Sequence, residues 1–294
     1  WWPGLGAGGE PYRGSSPAWT PDIATTANHS KWGDHQSACS VLRVIPPRLA
    51  TLLDQLAPLA ERFAGRGHRL YLVGGSVRDL LLGSDRLPDD LDFTTEASPE
   101  AIKAALDGWV DALWTQGERF GTIGAKVFGV TVEITTHRAE VYHPASRKPE
   151  VTFSTNIIDD LARRDFTVNA MALEVTGSAP ELIDPFEGAA DLAASRLVTP
   201  SGPHISFGED PLRMMRAARF IASHGLVPAD DIVAACTEMA ERLSIVSAER
   251  IRDELNKLIV VPDPSPGLWF LHDTNLADQF FPELPAMRVE QDPI

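Results

Sequence analysis

The sequence has few cysteines, no long apolar run and fewer basic than acidic residues. Its two cysteines, Cys39 and Cys236, lie far apart, which excludes a disulfide framework or a zinc-ligand spacing and favours a reducing cytoplasm. No run approaches the roughly 18 apolar residues of a transmembrane helix, and the first residues lack a signal-peptide pattern. We therefore expect a cytoplasmic protein without a membrane segment. A net charge of −15 argues against broad nonspecific nucleic-acid binding and leaves a specific site open.

The beginning of the chain carries little folding signal. The first methionine is Met171, so we expect the chain to be a fragment of a longer protein. Residues 1–45 are rich in Gly, Pro, Ser and Trp without a period, which predicts a disordered or foreign segment. His29, His35 and Cys39 lie there, but they lack the fourth ligand and the spacing of a zinc site.

Apolar spacing predicts an α+β fold, with a mixed sheet, helices on one side of it, and a helical region afterwards. The predicted helices of the first region are 48–64, 76–82 and 98–106, the last with Ser98 as its N-cap. Its predicted strands are 69–73, 91–94, 109–114, 122–127 and 130–136. Residues 138–156 read as an irregular loop, and further helices are predicted at 157–173, 187–194, 209–224, 229–242 and 247–260.

The segment 72–79 (LVGGSVRD) joins a short apolar strand to a helix through a glycine turn. Gly74 and Gly75 let the backbone approach a phosphate closely, and the amides at the start of a helix point towards an anion. Arg78, one turn into the helix, adds a guanidinium group that can donate two hydrogen bonds to a phosphate. An ordinary glycine turn remains the alternative for this segment alone.

The next motif is an acidic pair, Asp90 and Asp92, at the start of a strand. Residues i and i+2 of a strand point to the same face, so the two carboxylates repel each other unless a cation lies between them. Mg²⁺, a hard ion that prefers oxygen ligands, fits this pair. Glu133 on the strand 130–136 is a candidate third carboxylate, and a solvent-facing residue is the equal alternative there.

Two later motifs combine arginines with acids. In 163–172 (RRDFTVNAMA), the arginines suit triphosphate oxygens, and Asp165 and Asn169 suit a ribose hydroxyl. In 209–220 (EDPLRMMRAARF), one helical arc would hold Glu209, Asp210, Arg213 and Arg216, whose forked groups match the edge of a base. A helix face with salt bridges is the alternative for the second motif.

Together these motifs resemble the class II tRNA nucleotidyltransferases, which comprise the CCA-adding enzymes and the bacterial poly(A) polymerases. The resemblance covers about 70–285, with matching stretches in the family's order: 72–83 with 90–94, 121–122, 132–138, 163–172, 184–192, 208–220 and 249–255. It implies a polymerase-β-like nucleotidyltransferase head at 46–180, an all-α neck at 181–260 that selects the nucleotide, and the start of a truncated helical body at 261–294.

The resemblance also implies roles for individual residues. The family's two Mg²⁺ ions would be held by Asp90 and Asp92, and its triphosphate by the Gly74–Gly75 turn with Arg78. The remaining nucleotide contacts would come from Arg164, Asp165 near the ribose, the base-selecting set Glu209, Asp210 and Arg213, and the ATP contacts Arg216 and Arg219. Residues 184–191 resemble the hinge between head and neck.

The implied activity is the addition of C, C and A to the 3′ end of tRNA from CTP and ATP, without a nucleic-acid template, by two-metal transfer that releases pyrophosphate. The segment 117–121 (GERFG) resembles the CCA-adding form, whereas poly(A) relatives tend to carry a basic pair there. The loop 141–153 resembles the flexible loop needed for the last A. The alternatives are a poly(A) polymerase, a partial CC- or A-adding enzyme, or a non-catalytic nucleotide- or RNA-binding fragment.

Overall fold

The structure is a computed structural model that describes residues 47–83, 90–127, 129–141 and 150–286. The predictions made for 1–45, including those for His29, His35 and Cys39, lie outside these residues. None of the helices in the described part of the chain has both the length and the apolar character that a membrane span requires.

Helices and strands alternate in the first half of the described chain, and helices dominate the second. The helices are α1 (Pro47–Ala64), α2 (Gly75–Leu81), α3 (Pro99–Leu106), α4 (Ile157–Ala162), α5 (Gly188–Ala193), α6 (Pro203–Glu209), α7 (Leu212–His224), α8 (Asp230–Met239), α9 (Ala248–Ile259), α10 (Ser265–Asp273) and α11 (Glu283–Ala286). The strands are β1 (Tyr71–Val73), β2 (Asp90–Thr95), β3 (Ala112–Trp114), β4 (Thr122–Val127), β5 (Val130–Thr136), β6 (Arg138–Val141), β7 (Glu150–Phe153), β8 (Ala172–Glu174), β9 (Glu181–Ile183), β10 (Arg196–Leu197) and β11 (Val227–Pro228).

Seven of the described strands form one mixed sheet in the order β3-β4-β5-β2-β1-β8-β9. The β2–β5 pair is parallel and the other neighbours are antiparallel, which confirms the predicted mixed sheet. Helices α1 and α3 contribute Phe63 and Ile102 to a core with Phe93 and Ile134 of the central strands. The predicted cap of α3 is also confirmed, because the Ser98 hydroxyl accepts a hydrogen bond from the Ala101 amide.

A second core lies around α7. Its apolar face buries Met214, Met215 and Phe220 together with Phe207 of α6. Helices α9 and α10 pack against α7 and contribute Leu258 and other apolar side chains to the same core. This region also contains the short parallel pair β10–β11, which the prediction of an all-helical region did not include.

The predicted helix 157–173 is wrong beyond its first turns. Helix α4 ends at Ala162, a 3-10 turn covers Thr167–Asn169, and strand β8 pairs with β1 so that Ala172 lies opposite Val73. Tertiary pairing overrides the helical propensity of this stretch, because Ala170, Met171 and Ala172 are fully buried where the chain joins the sheet.

Two further predictions need correction. The segment 138–156 contains the antiparallel strands β6 and β7, which the polar sequence did not reveal by alternation. The predicted helix 209–224 is two helices, α6 and α7, separated by Asp210 and Pro211. Proline lacks the amide donor and disfavours helical geometry in the preceding residue, and Asp210 is accordingly extended. The arc predicted for Glu209, Asp210, Arg213 and Arg216 on one helix is therefore wrong, because of these four residues α7 contains the two arginines alone.

Candidate functional site

The turn between β1 and α2 depends on glycine. Gly74 has φ of 71° and ψ of −136°, a region that residues with side chains rarely occupy. A Cβ at Gly74 would lie 3.1 Å from Nη1 of Arg164. The predicted Gly74–Gly75 turn and the predicted nucleotide contact Arg164 are therefore neighbours, and the Arg164 guanidinium lies against the backbone of Gly74.

Three carboxylates lie side by side on one face of the sheet, and we call them the carboxylate cluster: Asp90, Asp92 and Glu133. Along β2, Leu91 and Phe93 are buried while both aspartates face solvent. The parallel register places Asp92 opposite Glu133. Adjacent strands are about 4.8 Å apart, so these side chains project from neighbouring positions.

The carboxylate cluster is electrostatically unfavourable by itself. Partial desolvation raises the pKa of Asp92, and Asp90 adds to this rise while Arg164 opposes it. Desolvation also raises the pKa of Glu133, with further contributions from Asp92 and Asp90. Ionised carboxylates at this spacing disfavour one another, which is the condition that a bound cation relieves.

The donor chemistry of the cluster suits a hard divalent cation. Carboxylate oxygens are the ligands that Mg²⁺ prefers, and Mg²⁺ in nucleotide sites is held by one or two carboxylates with phosphate and water completing the shell. Across the described ranges, no group of three or more His, Cys, Asp or Glu residues has the arrangement of a protein-only metal site. The residues present therefore fit a cation that is bound jointly by the protein and by a nucleotide phosphate, rather than by protein ligands alone.

Asp160 anchors the two arginines that follow α4. Its buried carboxylate accepts hydrogen bonds from Arg163 at 2.9 Å and from Arg164 at 3.2 Å. Burial raises the pKa of Asp160, but the charges of Arg164 and Arg163 outweigh this effect and bring the pKa to about 2. Asp160 was not among the predicted site residues, although an acid three and four residues before two arginines is a usable signal on a helix.

Arg78 is buried and engaged by protein groups. Its Nη1 donates to Oδ1 of Asn169 at 2.7 Å, and its Nε donates to Asp79 at 2.9 Å. Asn169 in turn donates to Oδ1 of Asp165 at 3.1 Å. The predicted triphosphate residue of the head is therefore joined through one amide to the predicted ribose residue.

Asp165 faces the helical region around α7, which we call the neck. Its Oδ2 accepts from Nε of Arg216 at 2.8 Å, and its Oδ1 accepts from the Phe166 amide. Burial raises the pKa of Asp165, but Arg216 and Asn169 outweigh this and hold it below the usual range. The carboxylate predicted to lie near the ribose is thus occupied by Arg216 in this structure.

Three arginines surround the ring of Phe220, and we call them the arginine cluster: Arg78, Arg216 and Arg219. Their guanidinium carbons lie 5.3, 5.7 and 4.5 Å from the ring centroid. Glu254 of α9 accepts from Nε of Arg219 at 2.7 Å and lies 3.6 Å from Arg216. Sequence reasoning gave Glu254 no role, although it lies within the stretch 249–255.

The predicted base-selecting residues have separate partners. Arg213 pairs with Glu209 at 3.1 Å and donates to the Ser206 hydroxyl at 3.0 Å. Asp210 instead pairs with Arg250 of α9 at 2.8 Å, and it is 31% exposed where Arg213 is 12% exposed. Arg250 was also given no role from the sequence. A second nitrogen of Arg213 donates to the Arg163 carbonyl, which joins α7 to the segment after α4.

Comparisons with known proteins identify relatives of this chain. Residues 70–198 match the model of the poly A polymerase head domain, and residues 225–287 match a probable RNA- and SrmB-binding site of polymerase A. The CCA-adding enzyme of Lactobacillus gasseri is 37% identical over 80% of this chain and 56% of its own length. The chain thus spans about half the length of the curated relatives that it matches.

Solved structures extend the likeness to the fold. The Bacillus stearothermophilus CCA-adding enzyme in complex with CTP has a TM-score of 0.69 at 32% identity, covering 83% of this chain and 57% of that chain. The Thermotoga maritima CCA-adding enzyme complexed with tRNA has a TM-score of 0.65 at 25% identity, covering 85% and 55%. The sheet therefore has the polymerase-β-like nucleotidyltransferase fold. The chain belongs to the family of class II tRNA nucleotidyltransferases and poly(A) polymerases.

Proposed function

We propose that this chain carries the catalytic head and neck of an enzyme that adds C, C and A to the 3′ end of tRNA, using CTP and ATP and releasing pyrophosphate. The observation that carries the proposal is the position of Arg164, which lies against the Gly74 turn and opposes the rise that desolvation causes in the pKa of Asp92 in the carboxylate cluster. Nucleotidyl transfer needs such an arrangement, because negative charge develops on the phosphate oxygens in the transition state. Cations beside the phosphates stabilise that charge. The relatives of known structure with CTP and with tRNA support the substrates.

The head residues would bind and orient the triphosphate. The Gly74 backbone and the Arg164 guanidinium would bind phosphate oxygens. Arg78 would hold the turn in place through its hydrogen bonds to Asp79 and Asn169. Asp90 and Asp92 would hold Mg²⁺, with Glu133 beside them. When bound there, Mg²⁺ would supply activation of the RNA 3′-hydroxyl and neutralisation of the charge on the α-phosphate and the leaving pyrophosphate.

The neck residues would choose the base. Arg213 presents donors and Asp210 presents acceptors, and an Arg–carboxylate pair complements C or A while leaving G and U mismatched. Asp210 is the more exposed of the two and its partner Arg250 is exposed as well, so this carboxylate is open to exchange with a base edge. Arg216 and Arg219 of the arginine cluster would contact ATP, and Asp165 and Glu254 hold these two arginines in position.

The decisive experiment incubates a tRNA that lacks its 3′ end with one labelled nucleotide at a time, and then with CTP and ATP together. We expect two C additions followed by a single A. A long A tail would identify a poly(A) polymerase, and termination after C would identify a partial enzyme. Nucleotide binding without any incorporation would identify a binding fragment, and each of these three results contradicts the proposal.

Base choice is tested by Arg213→Ala. We expect incorrect incorporation of UTP or GTP to rise about 10-fold or more relative to CTP, because an unpaired buried group no longer penalises the wrong base. Total transfer should fall less than selectivity does. Arg252, an exposed arginine of α9 paired with Asp253, gives a matched control. Unchanged selectivity in Arg213→Ala would leave this residue with only a structural role.

A further inference from the structure

An aromatic pocket lies on the same face of the sheet as the carboxylate cluster, towards the edge strand β3. One row of residues crosses four strands on the same face. The register places Asp92 opposite Glu133, Glu133 opposite Gly124, and Gly124 opposite Trp114. With strands about 4.8 Å apart, the row extends roughly 14 Å from the catalytic aspartate to the tryptophan backbone.

Gly124 lets the indole of Trp114 lie back across the row. A Cβ at Gly124 would lie 1.9 Å from Nε1 of Trp114, so the ring occupies the space that any other residue would fill. The indole over Gly124 is therefore about two strand spacings, or roughly 10 Å, from Asp92, and one spacing from Glu133. A tryptophan is thus fixed beside an acidic centre with its ring only partly buried.

The surrounding pocket has the chemistry of a nucleotide subsite. It has a volume of about 320 Å³, and its lining includes Trp114, Gln116, Phe120, Thr122, Glu133 and Arg138. Phe120 is 43% exposed and offers a second aromatic surface. Arg138 donates to the Thr122 hydroxyl at 2.8 Å and brings a positive charge to a pocket that otherwise contains Glu133. Aromatic surfaces with an arginine and an amide are typical of sites for single-stranded nucleic acid.

The sheet order separates this pocket from the nucleotide cradle. The Gly74 turn follows β1, on one side of β2, whereas the pocket lies on β4 and β3, beyond β5 on the other side. The carboxylate cluster is therefore between them. A transfer reaction needs its acceptor on the side opposite the leaving pyrophosphate, because attacking and leaving oxygens lie in line.

We propose that this pocket binds the unpaired 3′-terminal nucleotide of the acceptor RNA, whose base stacks on Trp114 and whose 3′-hydroxyl is thereby directed to the carboxylate cluster. The inference rests on the proposed function, since it names where that reaction's acceptor binds. The base of the incoming nucleotide lies elsewhere, at Arg213 and Asp210 of the neck.

The test uses the full chain and an RNA minihelix that ends without CCA. For Trp114→Ala we expect the KM for the minihelix to rise about 10-fold or more, as removal of a base–aromatic stack predicts, with the KM for CTP unchanged. Trp114→Phe keeps a stacking ring and should remain within about three-fold of the original chain. Leu113→Ala, on the opposite face of the same strand, is the matched control for the strand itself.

A second variant tests the position of the ring rather than its presence. Gly124→Ala keeps Trp114 but forces the indole away, so the KM for the minihelix should rise as it does in Trp114→Ala. An altered KM for CTP with an unchanged KM for the minihelix would overturn the subsite.

Equilibrium binding of the minihelix, measured by fluorescence anisotropy without nucleotide, separates the two proposals. Weaker binding by Trp114→Ala in a chain that shows no transfer would uphold the subsite and refute the function. Normal transfer with unaltered minihelix binding in Trp114→Ala would refute the subsite alone, as would a lack of measurable minihelix binding by the original chain.

Discussion

The acids of the sheet and the acids that hold the arginines of the neck are in opposite electrostatic states. Desolvation and mutual repulsion raise the pKa values of Asp92 and Glu133. Burial also acts on Asp165 and Glu254, but the charges of neighbouring arginines outweigh it and lower their pKa values. Within the described ranges, no ion pair joins Asp92 or Glu133 to a basic side chain, whereas Glu254 pairs with three.

This difference separates two uses of a carboxylate. Acids that repel one another are held by the strands β2 and β5, and a bound cation relieves the repulsion that Arg164 offsets only in part. Acids that are already paired cannot bind such a cation without releasing an arginine, so they fix the arginines in place. Nucleotide phosphates require both, namely a cation site and oriented guanidinium groups. Loss of a sheet acid should therefore lower the transfer rate with little effect on the free energy of unfolding, whereas loss of an arginine-binding acid should mainly lower the free energy of unfolding.

The largest expected effect is the loss of transfer in Asp92→Ala. Removing one metal-binding carboxylate should lower the rate by about 10³-fold or more, because metal stabilisation of the transition state amounts to several kcal/mol. The free energy of unfolding should stay the same or rise by under about 1 kcal/mol, because repulsion with Glu133 is relieved. Primer extension and urea unfolding measure the two quantities, and Glu100→Ala on α3 controls for loss of an exposed acid in the head. Activity within about 10-fold of the original chain would refute the metal assignment.

The neck should show the reverse signature in Glu254→Ala. Arg216 and Arg219 would lose their shared carboxylate, and the free energy of unfolding should fall by about 2–4 kcal/mol, somewhat below a fully buried pair because Arg216 is partly exposed. Asp253→Ala is the matched control, since its ion pair with Arg252 is exposed and contributes about 0–1 kcal/mol. Urea unfolding at neutral pH measures both variants. Equal losses in the two variants would show that the arginine cluster does not depend on Glu254.

The third effect is a pH dependence at Asp160. The pKa of Asp160 is about 2 in the folded chain and 3.8 in the unfolded chain. Its contribution to the free energy of unfolding is therefore fully present above pH 3.8 and is lost as the pH falls through about 2. A shift of this size corresponds to about 2 kcal/mol. Asp160→Asn should lower the free energy of unfolding at neutral pH and flatten its slope between about pH 4 and pH 2. An unchanged slope in this variant would assign the acid sensitivity to other carboxylates.

The sequence predicted the sheet of the head well because its signals are local. Alternation and β-branched residues mark β4 and β5 at their observed bounds, and the Ser98-Pro99 pair marks the start of α3. Strand β8 was missed because it is defined by its pairing with β1, which lies far away in the sequence. Strand β9 has only three residues and pairs with β8, so it was missed together with β8. Helix α6 was also missed, although Pro203 at its first turn was a usable signal.

The site was predicted in its members but not in its pairings. The motifs identified Asp90, Asp92, Arg164 and Arg213 as candidates, and the sequence already offered Glu133 as a third carboxylate. Which acid holds which arginine is a tertiary property: Asp210 pairs with Arg250, which is 40 residues away in the sequence. Such partners follow no helical or strand period, so spacing arguments do not find them.

The smallest expected effect is also the most direct test of the contrast between the two regions. Mg²⁺ at about ten times its Kd should stabilise the chain by about 1.4 kcal/mol, which raises the Tm by a few degrees in a protein of this size. The shift should vanish in Asp92→Ala and persist in Glu254→Ala, whose carboxylate binds arginines instead. It should shrink as pH falls, because the raised pKa values of Asp92 and Glu133 let protons compete with the cation. NaCl of matched ionic strength is the control, since any salt screens a net charge of −15. A shift of the same size in Asp92→Ala would place the cation on that general acidic surface and remove the distinction between the acids of the sheet and those of the neck.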